Sequence, residues 1–326
     1  MGRLTKGLAA GLAIFMLGGC VALDYKASTE RYVQQFGAAN PHTTRSVVRP
    51  DGLKISAREF GAVNKDLAPA IIMMHGFPDS QHLYDAVAPL LAKTRHVITF
   101  DFVGWGDSDK PVNHKYDVAS LRMDLEAVVA SFAPKSMIIV VHDLSGQPGI
   151  DWSLDNEQRV ASLVLLNTYY LPMPVLRPPE AIARFSTPGL WRDVSVWGAS
   201  RVDTVWQRGV EEQISKFFAN PTARDTYGKV FVHQALKIRP AFFGQNAVLL
   251  DEMAGRAAMA PRLQQFSRPV SIIFGSDDPY LNAGVAKEFN RLFPRSDLHL
   301  IAGGAHYVQL DQPKAVADLI LTAGTR

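Results

Sequence analysis

Six short apolar runs, separated by longer amphipathic stretches, constrain the fold of this chain more than any other feature. Each run is almost continuously apolar, as expected of strands that are buried on both faces. Strands of this kind that alternate with helical stretches build a parallel sheet covered by helices. The runs are residues 70–74, 97–100, 137–141, 163–166, 270–274 and 298–301. The sequence therefore predicts an α/β fold with a mostly parallel sheet.

The spacing of the runs also predicts an insertion. Successive runs start about 25 to 40 residues apart, but about 100 residues separate the run that ends at Leu166 from the run that begins at Val270. The intervening segment is rich in Trp, Phe, Arg and Pro, and its pattern indicates mostly helix. A helical insert between two strands is expected to cap the active site. We therefore assign residues 171–266 to a cap and residues 45–170 and 267–326 to the core.

Composition allows an enzyme without naming one. The chain has 326 residues, of which 47% are hydrophobic and 20% are charged, as in soluble globular proteins. A body of this size buries enough apolar surface to fold without disulfides or structural metals. With a single cysteine the chain has no internal disulfide. Nothing in the sequence indicates a metal or a cofactor.

The first residues differ from the rest. Arg3 and Lys6 precede an apolar run over residues 8–17, which is too short to span a bilayer but suits a signal peptide. The run leads to Gly18-Gly19-Cys20. This arrangement resembles the bacterial lipoprotein signal, which implies removal of residues 1–19 and lipidation of Cys20 at the new N-terminus. A plain secretory signal with an incidental cysteine is the alternative.

The signal predicts where the protein resides. No aspartate follows Cys20 directly, and by the same resemblance this favours the outer membrane, at its periplasmic face, over retention at the inner membrane. Without the lipid, a secreted or periplasmic protein is expected. Residues 20–44 are predicted to be a polar tether. Removal of residues 1–19 lowers the formal net charge from +3 to +1, so the charge gives no argument for nucleic-acid binding.

The run at 137–141 is followed by the first candidate catalytic residue. Val141-His142-Asp143-Leu144-Ser145-Gly146 has the outline of a tight strand-to-helix turn that exposes a nucleophile. Counted from the end of the strand, Asp143 takes the nucleophile position and Ser145 takes the small-residue position beyond it. Ser145 as nucleophile and Asp143 as a simple helix cap are the alternatives.

Two later strands supply partners for Asp143. The run at 270–274 leads to Gly275-Ser276-Asp277-Asp278-Pro279, and the last run leads to Gly303-Gly304-Ala305-His306. Ligand sites in open α/β sheets lie at the carboxyl ends of strands, so these side chains are expected to meet. His306 is the predicted general base and Asp278 its orienting acid, with Asp277 as the alternative acid.

The loop after residue 74 completes the predicted site. It reads His75-Gly76-Phe77-Pro78, and the backbone N–H groups of Phe77 and Leu144 are expected to converge on developing negative charge. We expect His75 to have a structural role.

These residues resemble the aspartate-nucleophile branch of the α/β-hydrolases, the haloalkane dehalogenases and epoxide hydrolases, over residues 45–322. The order nucleophile, acid, histidine matches that fold, and the resemblance places the cap between strands 6 and 7. Residues 101–111 and 140–143, and residues 306–309 with Asp311 and Pro313, look like dehalogenase segments, whereas residues 75–78 look like the epoxide hydrolase loop. The implied mechanism is an alkyl ester on Asp143 that is hydrolysed by water activated by His306.

The leaving group is less determined. Dehalogenases hold the halide with indole donors, usually from a tryptophan after the nucleophile, but Leu144 and Phe77 occupy the two positions that align. Cap tryptophans are the remaining indole candidates: Trp191, Trp197 and Trp206. Epoxide hydrolases use cap tyrosines as proton donors, and the candidates are Tyr227, Tyr169 and Tyr170.

The substrate predicted from these features is small, apolar and electrophilic, and water is the second reactant. Haloalkane hydrolysis is the leading hypothesis, with epoxide hydrolysis second. An esterase or lactonase that uses Ser145 and a lipid-anchored binding protein without catalysis are the other hypotheses.

Overall fold

The computed structural model describes residues 25–323, which form a mixed sheet with helices on both sides. Eight strands are hydrogen-bonded in the order β1-β2-β4-β3-β5-β6-β7-β8. The pairs β1/β2 and β2/β4 are antiparallel, and the other pairs are parallel. The α/β prediction with a mostly parallel sheet is confirmed.

The strands are β1 (Thr43–Val48), β2 (Lys54–Phe60), β3 (Ala70–Met74), β4 (Val97–Phe100), β5 (Met137–Asp143), β6 (Val160–Thr168), β7 (Val270–Gly275) and β8 (Ser296–Ile301). The core helices are α1 (residues 25–39), α2 (Ala88–Leu91), α3 (Val118–Phe132), α4 (Gly146–Asp155), α11 (Ala283–Leu292), α12 (Val308–Asp311) and α13 (Pro313–Thr322). The helices between β6 and β7 are α5 (Glu180–Ser186), α6 (Leu190–Arg201), α7 (Asp203–Ser215), α8 (Pro221–Ala235), α9 (Arg239–Gly255) and α10 (Ala260–Gln265). Short 3₁₀ segments cover Ala62–Asn64, Gln81–Tyr84, Glu157–Arg159 and Arg256–Met259.

All six apolar runs are strands, β3 to β8. Residues of β3, β4, β5 and β7 are buried throughout, because helices cover both faces of the sheet at these positions. The antiparallel strands β1 and β2 were not predicted. In β1 most residues are exposed, and in β2 charged residues interrupt the apolar ones, so neither strand gives a continuous apolar run.

The N-terminal segment corrects the prediction of a tether over residues 20–44. Residues 25–39 form α1, which lies against both core and cap. The Tyr32 hydroxyl donates to Asp85 at 2.8 Å, and the Phe36 ring packs edge-on to Phe60 of β2. On the cap side, Tyr25 donates to Glu211 of α7. The predicted signal peptide (1–19) and Cys20 lie outside the described residues.

The helices α5 to α10 form a layer above the carboxyl ends of the parallel strands. They fall within the segment predicted as a cap. Backbone contacts tie this layer to the core: the N–H of Tyr307 donates to the carbonyl of Phe217 at 3.0 Å. Among residues 25–323, no helix is both long and apolar enough to cross a membrane.

Candidate active site

Asp143 lies on a strained turn at the end of β5. Its φ is +49°, in the left-handed region that residues other than glycine adopt only in a few per cent of cases. Small residues make this turn possible. A Cβ on Gly76 would lie 2.5 Å from the Asp143 Cβ, and a Cβ on Gly146 would lie 2.1 Å from the Thr168 hydroxyl oxygen. The turn therefore presents a carboxylate at the carboxyl edge of the sheet, the position that the sequence predicted for it.

The two oxygens of this carboxylate have different surroundings. Oδ1 accepts a hydrogen bond from the Phe77 N–H at 3.2 Å, and the Leu144 N–H also donates to the carboxylate. Oδ2 lies 3.7 Å from Nε2 of His306, too far for a strong hydrogen bond. Burial raises the pKa of Asp143, opposed by the charge of His306 and the two N–H donors. Phe77 and Leu144 thus lie where the sequence predicted backbone donors.

His306 is held by Asp278. Its Nδ1 lies 2.9 Å from Asp278 Oδ2, while Oδ1 of Asp278 accepts from the N–H groups of Tyr280 and Leu281 at 2.8 and 3.2 Å. Burial opposes the charged imidazolium, but Asp278, followed by Asp143, outweighs it and raises the pKa of His306 to about 9. The pKa of Asp278 is lowered, because His306 and the hydrogen bonds it accepts overcome the effect of burial.

The alternative acid, Asp277, is placed elsewhere. Its carboxylate accepts from the exposed Ser276 hydroxyl, and no contact joins it to His306 among the described residues. Asp278 is therefore the carboxylate that the fold brings to the histidine.

Asn167 supports the pair of His306 and Asp278, and its role was not predicted from the sequence. It lies near the end of β6 with φ +24°. Its Nδ2 donates to Asp278 Oδ2 at 2.9 Å, and its Oδ1 accepts from the Gly275 N–H at 2.8 Å. Asn167 thereby holds Asp278 against the end of β7, the strand that precedes Asp278 in the sequence. Its place directly after the apolar run 163–166 was the one available signal.

The Ser145 hydroxyl is occupied by the backbone of the turn. The hydroxyl donates to the carbonyl of Met74 at 2.9 Å or to that of His142 at 2.8 Å. It accepts from the His142 N–H at 2.8 Å. The side chain is fully buried. It stabilises the turn and has no contact with His306.

Comparison with known proteins decides the family. The α/β hydrolase fold family model matches residues 69–313, about three quarters of the chain.

The chain is an α/β hydrolase.

Three named proteins are similar to this hydrolase. A cis-3-alkyl-4-alkyloxetan-2-one decarboxylase of Shewanella oneidensis is 26% identical over 260 residues, which cover 76% of this chain and 80% of the relative. A fluoroacetate dehalogenase of a Burkholderia species is 31% identical over 127 residues, covering 38% of this chain and 40% of the relative. The crystal structure of a haloalkane dehalogenase from Bradyrhizobium elkani superposes with a TM-score of 0.67 at 21% identity, covering 86% of this chain and 97% of that one. The last likeness shows the fold.

The three candidate tyrosine donors of the hydrolase have separate environments. Tyr169 is buried, its hydroxyl has no hydrogen-bond partner within the described part of the chain, and Asp143 is among the charges that raise its pKa after burial. Tyr170 donates instead to Asp151 at 2.6 Å. Tyr227 packs on Tyr32 beside Asp85, and its contacts do not reach Asp143. The structure brings Tyr169 towards the site and directs the other two elsewhere.

The cap tryptophans are also accounted for. Trp206 donates its indole N–H to the carbonyl of Ala235 at 2.8 Å, and Trp191 and Trp197 lie on the outer surface. None of the three is placed as a halide donor. A core tryptophan that the sequence did not single out, Trp105, packs edge-on to Phe77 with 5.8 Å between ring centroids. Its buried indole N–H has no partner among residues 25–323.

A cavity of about 360 Å³ lies within the cap, next to the triad. Pro78 and Phe217 line its inner end, and the Phe217 ring lies 4.6 Å from the His306 ring. The rest of the lining combines the aromatic rings of Phe185, Trp206 and Phe242 with charged residues, among them Glu180, Arg184 and Lys216. The volume and lining suit a small, mostly apolar ligand.

A larger cleft, of about 570 Å³, lies apart from the triad between α3, α4 and the cap helices α9 and α10. Its charges are mostly paired with each other: Arg256 binds Asp151 at 2.7 Å, and Asp155 binds both Arg122 and Arg262. These ion pairs join cap to core.

A second buried cluster, also missed in the sequence, lies beside the triad. Asp79 is fully enclosed and accepts from the Tyr307 hydroxyl through Oδ1. Its Oδ2 lies 3.8 Å from Nδ1 of His142, and neither atom has a hydrogen-bond partner among the described residues. Burial raises the pKa of Asp79 to about 7, and the charge of Asp143 acts in the same direction. Asp79 thus holds its proton up to neutral pH.

Proposed function

We propose that this hydrolase forms a covalent ester between Asp143 and an electrophilic carbon of a small apolar substrate, most like a haloalkane dehalogenase. The observation that carries the proposal is the nature of the side chain on the strained turn. Asp143 presents a carboxylate there, whereas the Ser145 hydroxyl is bound by the backbone. A strained turn is retained where geometry serves function.

In the first step Oδ2 of Asp143 attacks the carbon along the line of the breaking bond. A C–O bond forms, the bond to the leaving group breaks, and a halide departs with the electron pair. Oδ1 is held by the N–H group of Phe77, and Oδ2, which faces His306, is the proposed nucleophile. Because a carboxylate is a weak nucleophile, the cap must exclude bulk water and hold the carbon close.

In the second step water attacks the ester carbonyl. His306 takes the proton of that water, and Phe77 and Leu144 stabilise the oxyanion that forms on Oδ1. The pKa of His306 is raised in part by the charge of Asp143. Esterification removes that charge and so lowers the pKa of His306, which makes the imidazole a base when the base is needed. The products are an alcohol and a proton, and Asp143 is regenerated.

The named relatives support carbon–heteroatom chemistry of this kind. A fluoroacetate dehalogenase acts on a carbon–halogen bond, and an alkyloxetan-2-one is a strained cyclic ester whose ring carbon bears a C–O bond. This partial sequence similarity supports either a carbon–halogen bond or a carbon–oxygen bond as the bond that breaks in the first step. The buried indole N–H of Trp105, which has no partner among residues 25–323, is the candidate to bind a leaving halide.

Epoxide hydrolysis is the second candidate, and Tyr169 is the observation that favours it. A buried hydroxyl beside Asp143 is suited to protonate an epoxide oxygen as the ring opens. A binding protein without catalysis is disfavoured, since Asp143, His306 and Asp278 retain the geometry of a working triad.

The ester is tested by trapping it. We expect a His306→Gln variant, incubated with panels of haloalkanes and epoxides, to accumulate an adduct on the peptide that contains Asp143, and intact mass to identify the substrate. Ser145→Cys, a near-isosteric change at the rival nucleophile, is the matched control and must give the wild-type result. If no adduct forms with any substrate, and Asp143→Ala still hydrolyses carboxylic esters at the wild-type rate, the carboxylate mechanism is wrong.

We also propose that Cys20 is lipidated and anchors the hydrolase in the bacterial cell envelope, at the periplasmic face of the outer membrane. The support is the order of charges, apolar run and Gly18-Gly19-Cys20 in the sequence. Labelling with a lipid precursor, lost in Cys20→Ala, is the expected result. Equal labelling of both forms would overturn the anchor.

A further inference from the structure

Helix α6 exposes an apolar face that the fold leaves uncovered. Of its twelve residues only Ala199 is buried. Leu190, Val194, Trp197 and Arg201 follow at helical spacing on the opposite face, and Trp191 borders it. The side chains of Trp191 and Trp197 are 81% and 60% exposed, which is unusual because tryptophans are rarely left in water.

The chemistry of this face matches a lipid surface. Tryptophan is the residue type enriched where a membrane meets water, since its ring is apolar and its N–H is polar. The Arg201 guanidinium lies 5.2 Å from the centre of the Trp197 ring and has no carboxylate partner among residues 25–323. If Trp197 enters the bilayer, an arginine above its ring is placed to meet an anionic headgroup.

The position of the N-terminal end of α1 also indicates that a lipid surface lies against this face. Tyr25, the first described residue, is bonded to Glu211 of α7, the helix that packs beside α6. Cys20 is five residues earlier, a distance that extended chain spans in at most about 17 Å. A lipid on Cys20 would therefore hold the cap, rather than the opposite edge of the sheet, towards the membrane.

The face also adjoins the cavity in the cap. Val194 and Gly198 of α6 line this cavity together with Phe217, whose ring packs against His306. A molecule that dissolves in lipid could enter the cavity from the membrane without crossing water.

We propose that the exposed face of α6, formed by Leu190, Trp191, Val194, Trp197 and Arg201, docks on an anionic lipid bilayer and admits apolar substrates from it. The docking is independent of the chemistry proposed for Asp143, whereas the route of entry rests on that proposed function. Docking and hydrolysis are therefore tested separately.

Docking is tested on the full chain bound to vesicles of phosphatidylethanolamine and phosphatidylglycerol, with and without bromine on the acyl chains. Bromine quenches indoles that lie in the membrane. Because two of the five tryptophans lie on α6 and the other three are buried in the protein, we expect brominated vesicles to lower the emission by about one third. A Trp191→Phe/Trp197→Phe variant should float with the same vesicles and show almost no quenching.

The matched control is Val63→Gln/Leu67→Gln. These two side chains are as exposed as the tryptophans, but they lie before β3, at the edge of the sheet opposite the cap, and the variant should be quenched like wild type. If wild type floats with the vesicles and is not quenched, the proposal is overturned. It is also overturned if sedimentation shows that wild type is a dimer and that Trp191→Gln/Trp197→Gln is a monomer, because the face would then take a second copy of the chain.

The route of entry has its own readout. A Trp191→Gln/Trp197→Gln variant should hydrolyse a short, water-soluble substrate as wild type does, but a long-chain substrate in vesicles about tenfold more slowly. Equal rates of wild type and variant on vesicles, under conditions in which brominated vesicles quench wild type, would refute entry from the membrane and leave docking intact.

Discussion

Replacing Asp79 by Asn tests whether the buried carboxyl group beside the triad holds its proton. The amide is nearly isosteric with a protonated carboxyl group. Its oxygen can accept from the Tyr307 hydroxyl, and its nitrogen would face Nδ1 of His142 across the same 3.8 Å as Oδ2 does in wild type. The contacts of the neutral acid are therefore kept, and the ionisation is removed.

The sign follows from the direction of the pKa shift. The pKa of Asp79 is raised from an ordinary value near 4 to about 7 in the folded protein. Between these values the unfolded chain releases the proton and the folded chain keeps it, so wild type loses stability as the pH rises from about 4 to about 7. Asparagine does not titrate, and the variant escapes this loss.

The size of the difference in stability between Asp79→Asn and wild type follows from the same pKa shift. One pKa unit corresponds to about 1.4 kcal/mol, so the stability of Asp79→Asn relative to wild type should increase by about 2 to 3 kcal/mol between pH 5 and pH 8. Urea unfolding of both proteins at intervals across this range measures the difference. A difference that stays constant, or that shrinks as the pH rises, would refute a protonated Asp79.

Three further substitutions probe the site. Gly76→Ala places a Cβ 2.5 Å from the Asp143 Cβ, and we expect it to reduce kcat/KM at least about tenfold and to lower the melting temperature; an active, equally stable variant would contradict the packing described. Asn167→Ala removes one of the hydrogen bonds to Asp278 and leaves the Gly275 N–H without its side-chain acceptor, which should cost about 1 to 3 kcal/mol in chemical unfolding, whereas an unchanged midpoint would show that Asn167 does not stabilise the fold. Tyr169→Phe removes a hydroxyl that has no partner, so stability and halide release should be unchanged; loss of epoxide opening alone would identify Tyr169 as its proton donor and favour the epoxide alternative.

The triad could be anticipated from the sequence because its members lie directly after strands. Continuous apolar runs identified β5, β7 and β8, and parallel strands bring their carboxyl ends to one edge. Asp143, Asp278 and His306 therefore had to meet if the sheet formed as expected. Phe77 and Leu144 followed by the same reasoning, since their backbone groups depend on strand ends and not on side-chain type.

Residues that act through tertiary contacts could not be anticipated in this way. The value of Asn167 lies in its bonds to Asp278 and Gly275, which are more than 100 residues away in sequence. The raised pKa of Asp79 depends on burial beneath the cap, and neither its depth nor its neighbours are written in the local pattern.

The failure to predict the N-terminal helix has a different cause. Tyr25, Thr29, Tyr32 and Phe36 recur at helical spacing, and three of them are buried in the structure, Tyr25, Thr29 and Phe36. The signal for α1 was present, but the polar residues between these positions made the segment resemble a linker.

The nucleophilic role of Asp143 is tested most directly by the fate of oxygen in a single turnover. Enzyme in excess over substrate is allowed to react in oxygen-18 water, and the peptide that contains Asp143 and the alcohol are both weighed. If Asp143 forms the ester, the first alcohol carries ordinary oxygen from the carboxylate and the Asp143 peptide gains one heavy oxygen. If water attacks the substrate directly, or Ser145 is the nucleophile, the Asp143 peptide stays unlabelled, and the carboxylate mechanism is contradicted.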